Sequence, residues 1–292
     1  MRRTTVTQRR VAAGILPAVK GGIMPPGSAP ESSSVTAEGA AIPPGRMPGS
    51  TARGNPTPRS HDPLPFVLIN MAMTADGKIA TANRAVSSFS SPHDHQLLLA
   101  LRATADAVMS GARTVNLNPI NMGPGAAKYR ALRRRRGLAE YNLRIISSGS
   151  GSVNPDAEVF RHKFSPIIIL TTRRAGEGRL KRLHAIADAV KVCGAQQLNF
   201  RLALRWLRQK WGVKRLLCEG GGELNDALFR AGLVDEVHVT ICPKVFGGRS
   251  APTLADGLGA PTLARAAQLE LRSARKHGAE MYLVYRVVKR RD

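Results

Sequence analysis

Residues 216–241 read LLCEGGGELNDALFRAGLVDEVHVTI, and the order of residue types in this stretch decides the fold. An apolar run of strand length ends at Cys218, three glycines follow at Gly220, Gly221 and Gly222, and Leu224, Ala227, Leu228 and Ala231 then recur at helical spacing. A strand therefore passes through a glycine turn into an amphipathic helix. Glycine lets backbone come within contact distance of a ligand, and the first N–H groups of a helix have no intrahelical partner, so such a turn makes an anion site. The same arrangement also occurs for packing alone. Glu219 favours the ligand reading, because a carboxylate at the C-terminal end of a buried strand is costly unless a donor faces it.

Upstream of this stretch, FVLINMAM from Phe66 reads as a strand closed by the Asp76-Gly77 turn. Pro92 at a helix N1 position, after Ser90 and Ser91 as caps, predicts a helix with Leu97, Leu98, Leu101 and Ala105 on one face and Arg102 near its end. DAVMSG is a further strand delivering GARTVNLNP into a loop, and residues 126–141 form a basic helical or loop insertion. LRIIS and PIIILTT are strands, GEGRLKRLHAI a helix, DAVKVC a strand, and NFRLALRWLRQKW a helix carrying Leu202, Trp206 and Leu207. Strands alternating with helices at these lengths predict an α/β domain with a mostly parallel central sheet covered on both faces. VDEVHVTI, AQLELRSARKHG and AEMYLVYRVV follow with little helix between them and predict an antiparallel C-terminal edge.

Residues 1–63 are rich in Arg, Pro and Gly and lack periodic apolar faces, so they are expected to be a disordered basic extension ahead of one domain at 64–292. A targeting segment is conceivable there, but Gly14, Pro17 and Lys20 interrupt the apolar stretch and no small-residue cleavage site follows. Nothing approaches the ~20 apolar residues of a membrane span. Cys193, Cys218 and Cys242 are odd in number and lie in apolar strand contexts, which suits reduced core thiols and a cytoplasmic location. The formal charge of +24 raises nucleic acid as a partner, yet the excess is scattered over the head, Arg133–Arg136, 173–182 and the C-terminal KRRD, and aromatic residues are only 4% of the chain. A bland solvated basic surface is the reading adopted, with attraction of phosphorylated small molecules as an alternative to it. HDH at 93–95 lacks the remaining ligands of a metal site, so no metal is expected.

Taken in order, NMAMTADGKIAT, LRATADAVMSGARTV, EGGGELN…AGLVDE…PK.FGG and APTLADGLG resemble the pyrimidine reductase family of riboflavin biosynthesis, over roughly residues 66–288. The resemblance implies a three-layer, dihydrofolate-reductase-like fold. It implies NADPH-dependent reduction of a phosphorylated ribosylamino-pyrimidine to its ribitylamino counterpart, by a homodimer. Many bacterial members carry a zinc deaminase domain in front, but this chain has no His-x-Glu or Pro-Cys-x-x-Cys arrangement there and resembles the reductase-only form.

By the same resemblance, Ala72, Ser88, Thr114, Asn118 and the run Gly221, Gly222, Glu223, Leu224, Asn225, Asp226 and Ala227 are implied cofactor contacts. Ser87, Arg102 and Glu219 are implied substrate contacts, with Glu219 meeting pyrimidine or ribose donors and Arg102 meeting phosphate. Arg102 is alternatively an exposed helix-end arginine favoured by the macrodipole. Asp76 and Glu219 are the catalytic candidates, although Asp76 is alternatively only the turn residue that Gly77 suggests. Where the family has Asp-Asp-Pro, this chain has Asn116, Leu117, Asn118 and Pro119, one residue shorter, and a strand ending that is commonly Asp-Ser reads Ser147-Ser148. Arg113 replaces a small residue and either grips the 2′-phosphate or points to solvent.

In the expected reaction the ring-opened imine accepts hydride at its sugar carbon, with the proton from water or Asp76, and the protein contributes mainly by positioning. Two alternatives stand beside this. One is a reductase of another pterin-like or carbonyl substrate on the same fold; the other is a non-catalytic basic nucleic-acid-binding protein.

Overall fold

The computed structural model describes residues 64–84 and 89–289; the 1–63 extension, Ser87 and Ser88 lie outside the described residues. A nine-stranded sheet forms the middle layer, built from β1 (Phe66–Thr74), β2 (Ala107–Gly111), β3 (Leu143–Ser148), β4 (Ile167–Thr171), β5 (Ala189–Val192), β6 (Arg215–Cys218), β7 (Glu236–Cys242), β8 (Leu269–His277) and β9 (Glu280–Val287). Their order is β5-β4-β3-β2-β6-β1-β7-β9-β8. All pairings from β5 to β7 are parallel, and the antiparallel edge begins only at β9, since β7 runs parallel to β1 from Leu68↔Glu236 to Thr74↔Cys242.

The helices are α1 (Pro92–Arg102), α2 (Ala112–Leu117), α3 (Ala127–Arg135), α4 (Glu158–Arg161), α5 (Gly176–Ile186), α6 (Phe200–Trp211) and α7 (Gly222–Arg230). Alternation along each strand sends side chains to two cores. Val67, Ile69, Met109, Leu216 and Val237 pack with Leu204 and Leu207 of α6 and Leu228 of α7, while Leu68, Val108, Ile146, Ile169 and Leu217 pack with Leu101 of α1, Val115 of α2 and Leu183 of α5. This is the three-layer arrangement expected. Ser91 caps α1, its Oγ accepting from Asp94 N–H, and Pro92 lies in the first turn.

Three local expectations need correction. GARTVNLNP is not a loop throughout, because Ala112 and Val115 bury one side of a six-residue helix, α2. In α6 the inward residues are Phe200, Ala203, Leu204 and Leu207, and Leu202 faces solvent. Nor is Arg133–Arg136 a uniformly solvated run: Arg133 is buried, whereas the three that follow are exposed. The three cysteines are free and buried, and burial pushes the Cys193 thiol up to about 11 and those of Cys218 and Cys242 up to about 12.

Candidate active site

Because β6 is inserted between β2 and β1, the C-terminal ends of these three strands form the middle of the sheet's upper edge. From β6 the chain continues through Glu219 into the glycine turn. Gly221 has φ +125°, a conformation that side-chain-bearing residues avoid, and a Cβ there would meet only Thr114 Oγ1 at 3.5 Å. The space beside this backbone is therefore open. Gly221 is also the N-cap of α7 and supplies no side-chain cap, so the N–H groups of the first turn receive no acceptor from the capping residue. The Gly220 carbonyl accepts from Thr114 Oγ1 at 3.2 Å and from Ser110 Oγ at 3.4 Å, which ties the turn to β2 and α2. Asn118 Nδ2 donates to Thr114 O at 2.7 Å and holds the end of α2. Ala72 is half-buried on β1, opposite Thr240.

Apart from Glu223, the residues of the run 222–227 are engaged inside the protein. A Cβ on Gly222 would lie 2.7 Å from Thr253 O and 2.9 Å from Asp256 N, so this glycine serves packing against the 253–256 loop. Leu224 and Ala227 belong to the core, and Asn225 Nδ2 donates to Leu254 O at 2.8 Å. Asp226 accepts from Gly259 N–H at 3.1 Å and pairs with Arg230 at 2.8 Å. The side chains of Leu224, Asn225, Asp226 and Ala227 are thus engaged inside the protein, and within this run only that of Glu223 is exposed. Glu223 pairs with Arg113 at 2.9 Å, and because the side chains are 58% and 66% exposed this is a surface pair of the kind that contributes little.

Arg102 and Glu219, 117 residues apart, form a bidentate ion pair. Nε meets Oε1 and Nη2 meets Oε2, both at 2.6 Å, with side chains only 9% and 11% exposed, and Nη1 donates to Gly123 O at 2.7 Å. The exposed helix-end alternative for Arg102 is overturned by this burial. Each of its terminal nitrogens already has an acceptor within the protein, so its geometry is that of a clamp on Glu219. Arg133 reinforces the clamp. From α3 its Nη1 donates to Arg102 O at 2.7 Å and Ala105 O at 2.5 Å, and its Nε donates to Ala139 O at 2.8 Å, placing a guanidinium at the negative end of the α1 dipole. Burial lowers the pKa of Arg133, an effect partly offset by Asp106.

Asp76 is committed to the turn. Its carboxylate accepts from Thr74 Oγ1 at 2.5 Å, Gly247 N–H at 2.7 Å and Phe246 N–H at 3.2 Å, and it holds the 243–248 loop against the end of β1. The Thr74 hydroxyl does most to hold its pKa below the usual aspartate value, helped by these amides against a smaller effect of burial. Two residues that sequence reading passed over also belong to this edge. Lys78 is half-buried and donates through Nζ to Ala251 O at 3.0 Å; its place directly after the Asp-Gly turn was the available signal. Glu280 accepts Ser91 N–H at 2.7 Å and Ser91 Oγ at 2.6 Å, fixing the start of α1 to β9, and no local pattern marks a partner 189 residues away.

Residues 65–283 match the family model described as the RibD C-terminal domain. The chain belongs to that family. It is 33% identical over 230 residues to the 2,5-diamino-6-ribosylamino-4(3H)-pyrimidinone 5′-phosphate reductase of Methanothermobacter thermautotrophicus, covering 76% of this chain and 98% of the relative. Its identity to the reductase of the same name from Aquifex aeolicus is 30%, covering 77% and 97%. Among solved structures, a pyrimidine reductase-like protein from Corynebacterium diphtheriae superposes with a TM-score of 0.66 at 20% identity, covering 78% of this chain and 93% of the other, which shows the shared fold. Membership of the RibD C-terminal domain family makes this chain an oxidoreductase of the riboflavin pathway. Among the described residues no helix is long and apolar enough to cross a membrane.

Proposed function

We propose that this chain uses NADPH to reduce 2,5-diamino-6-ribosylamino-4(3H)-pyrimidinone 5′-phosphate to the ribitylamino compound. One observation carries the reading: an open glycine turn with an uncapped helix N-terminus stands directly beside a clamped carboxylate, at the C-terminal edge of a parallel sheet. The residues present fit a dinucleotide, since the Gly221 backbone and first-turn amides of α7 suit its pyrophosphate and Thr114 stands next to them. When bound, the nicotinamide supplies the hydride. Glu219, held by Arg102, accepts N–H or O–H groups of the pyrimidine or ribose and orients the imine carbon. Asp76 is retained as an ionised pin of the 243–248 loop rather than a proton donor, and the proton that completes the amine comes from water. The diamino substrate is chosen because the chain spans 98% and 97% of two relatives named for it.

The enzyme is further proposed to act as a homodimer, supported by Leu269 and Leu271, which stay exposed on β8 opposite Val287 and Tyr285 of β9. Turnover tests the main reading. The purified chain should oxidise NADPH with the diamino pyrimidine at a higher kcat/KM than with its deaminated counterpart. Absence of NADPH oxidation with either pyrimidine would overturn it, and turnover of a different carbonyl or pterin-like compound would put the alternative reductase in its place.

A further inference from the structure

We propose that Glu280, at the start of β9, is a positioning residue for the reduction: through Ser91 it sets the place of α1, and α1 carries the Arg102 guanidinium that holds Glu219. This rests on the reading of Glu219 as the side chain that meets the substrate. Eleven residues at about 1.5 Å each make α1 a rod of about 16 Å, with Ser91 as its N-cap and Arg102 as its last residue. Along this rod only Asp94, Leu101 and Arg102 are buried, while Leu97, Leu98 and Leu99 are half-buried. Its placement is therefore decided by the fastenings at its two ends more than by a packed apolar face.

The first turn of α1 is tied to three strands. The buried Glu280 carboxylate accepts Ser91 N–H at 2.7 Å, Ser91 Oγ at 2.6 Å, the Tyr282 hydroxyl and the Cys242 thiol at 3.5 Å, so both of its oxygens are occupied. Burial raises its pKa, but the hydrogen bonds from Ser91, Tyr282 and Cys242 outweigh burial and leave the group below the usual glutamate value, which keeps it an acceptor only. Ser91 Oγ passes the fastening into the helix by accepting Asp94 N–H at 3.3 Å. Asp94 in turn accepts Thr240 Oγ1 of β7 at 2.5 Å, and the His93 ring stacks on His277 of β8 with centroids 3.8 Å apart. At the other end of the rod the tolerance is small. The Arg102 fork meets both Glu219 oxygens at 2.6 Å, so a slide of α1 by about 1 Å either breaks one of these bonds or drags the carboxylate with it, and a misplacement of that size remote from the chemistry can cost about 100-fold in rate. Glu280 stands where such a slide is stopped.

Steady-state kinetics and NADPH titration of the full chain, arranged as a double-mutant cycle between Glu280→Ala and Arg102→Lys, test the assignment. At a temperature where the variants are folded, Glu280→Ala should lower kcat on the phosphorylated pyrimidine about 10- to 100-fold and leave NADPH affinity within about threefold. Glu280→Gln, which keeps the shape and an acceptor oxygen for Ser91 N–H, should recover kcat to within about fivefold of the parent. On the Arg102→Lys background the Glu280→Ala change should cost less than about threefold, because the fork it positions is already gone. Should Glu280→Ala fail to fold, Ser91→Ala takes its place in the cycle, with an expected loss of about 3- to 10-fold on the parent background. A parent-like kcat in the folded variant, a loss of NADPH affinity equal to the loss of kcat, or losses that simply multiply across the cycle would each overturn the proposal. If Arg102→Lys itself keeps the parent's kcat, the reading of the clamped Glu219 on which the proposal rests is overturned instead.

Discussion

A buried carboxylate gripped by a buried guanidinium is the residue-scale fact with the most consequence. Removing one partner of such a pair leaves an uncompensated charge, so Arg102→Ala should destabilise the protein by about 3–5 kcal/mol, and Arg102→Lys, which keeps the charge but loses the fork, by less. Because the guanidinium is occupied by Glu219 and Gly123, Arg102→Lys should lower kcat/KM by a similar factor on the phosphorylated pyrimidine and on its dephosphorylated form, with NADPH affinity little changed. Thermal unfolding and steady-state kinetics on both substrates check this; a loss confined to the phosphorylated substrate would return Arg102 to direct phosphate binding. Asp76 allows a second test. Its pKa is lowered in the folded state, so its stabilising contribution is complete above the unfolded value near 3.8 and disappears as pH falls through the lower folded one. Melting temperature should therefore fall with acidification in this window more steeply for the parent than for Asp76→Asn, and identical acid limbs would remove the carboxylate from the turn.

The supporting role of α3 becomes visible at the scale of elements. Sequence shows four consecutive arginines, and only the first turns inward to the last carbonyls around α1. Arg133→Met should orphan Arg102 O, Ala105 O and Ala139 O and cost about 3 kcal/mol or more, whereas Arg135→Ala on the exposed side should change stability by less than about 0.5 kcal/mol. Chemical denaturation of the two variants would separate them, and equal midpoints would contradict the buried assignment. Helix α7 offers a parallel case. Gly222→Ala places a methyl against Thr253 O and Asp256 N, both backbone atoms, and should cost about 1–3 kcal/mol, read as a loss of about 2–4 °C in Tm for each kcal/mol. An unchanged Tm would show that the 253–256 loop yields freely.

For the molecule as a whole, the unfinished surface is the β8–β9 hairpin. Leu269 and Leu271 are 43% and 53% exposed on a nine-residue strand, and the free edge of that strand is discouraged from pairing by a bulge between Leu271 and Ser273 and by Arg272, Arg275 and Lys276. Association through the apolar face, not the edge, is therefore expected. Light scattering should find a dimer at micromolar concentration that becomes monomeric on Leu269→Glu with Leu271→Glu; a parent that is already a monomer would sink the homodimer.

Much of this architecture was readable from the chain alone, because local periodicity reports which face a residue occupies. The 216–241 stretch foretold β6, the turn, α7 and β7, and GEGRLKRLHAI matched α5 residue for residue. Gly221, with its positive φ and open surroundings, was legible as an approach point because only backbone geometry is needed to see it. What local pattern does not contain is which strands become neighbours. Insertion of β6 between β2 and β1 is a property of the crossovers, and that insertion brings Glu219 to Arg102, while the parallel pairing of β7 on the other side of β1 brings Gly247 to Asp76 across 171 residues. For the same reason the internal bonds made by the side chains of Asn225, Asp226 and Arg133 were not visible in sequence. A polar side chain declares its chemistry in sequence, but its partner is chosen by tertiary structure, where the cost of burying an unpaired group leaves room for few arrangements.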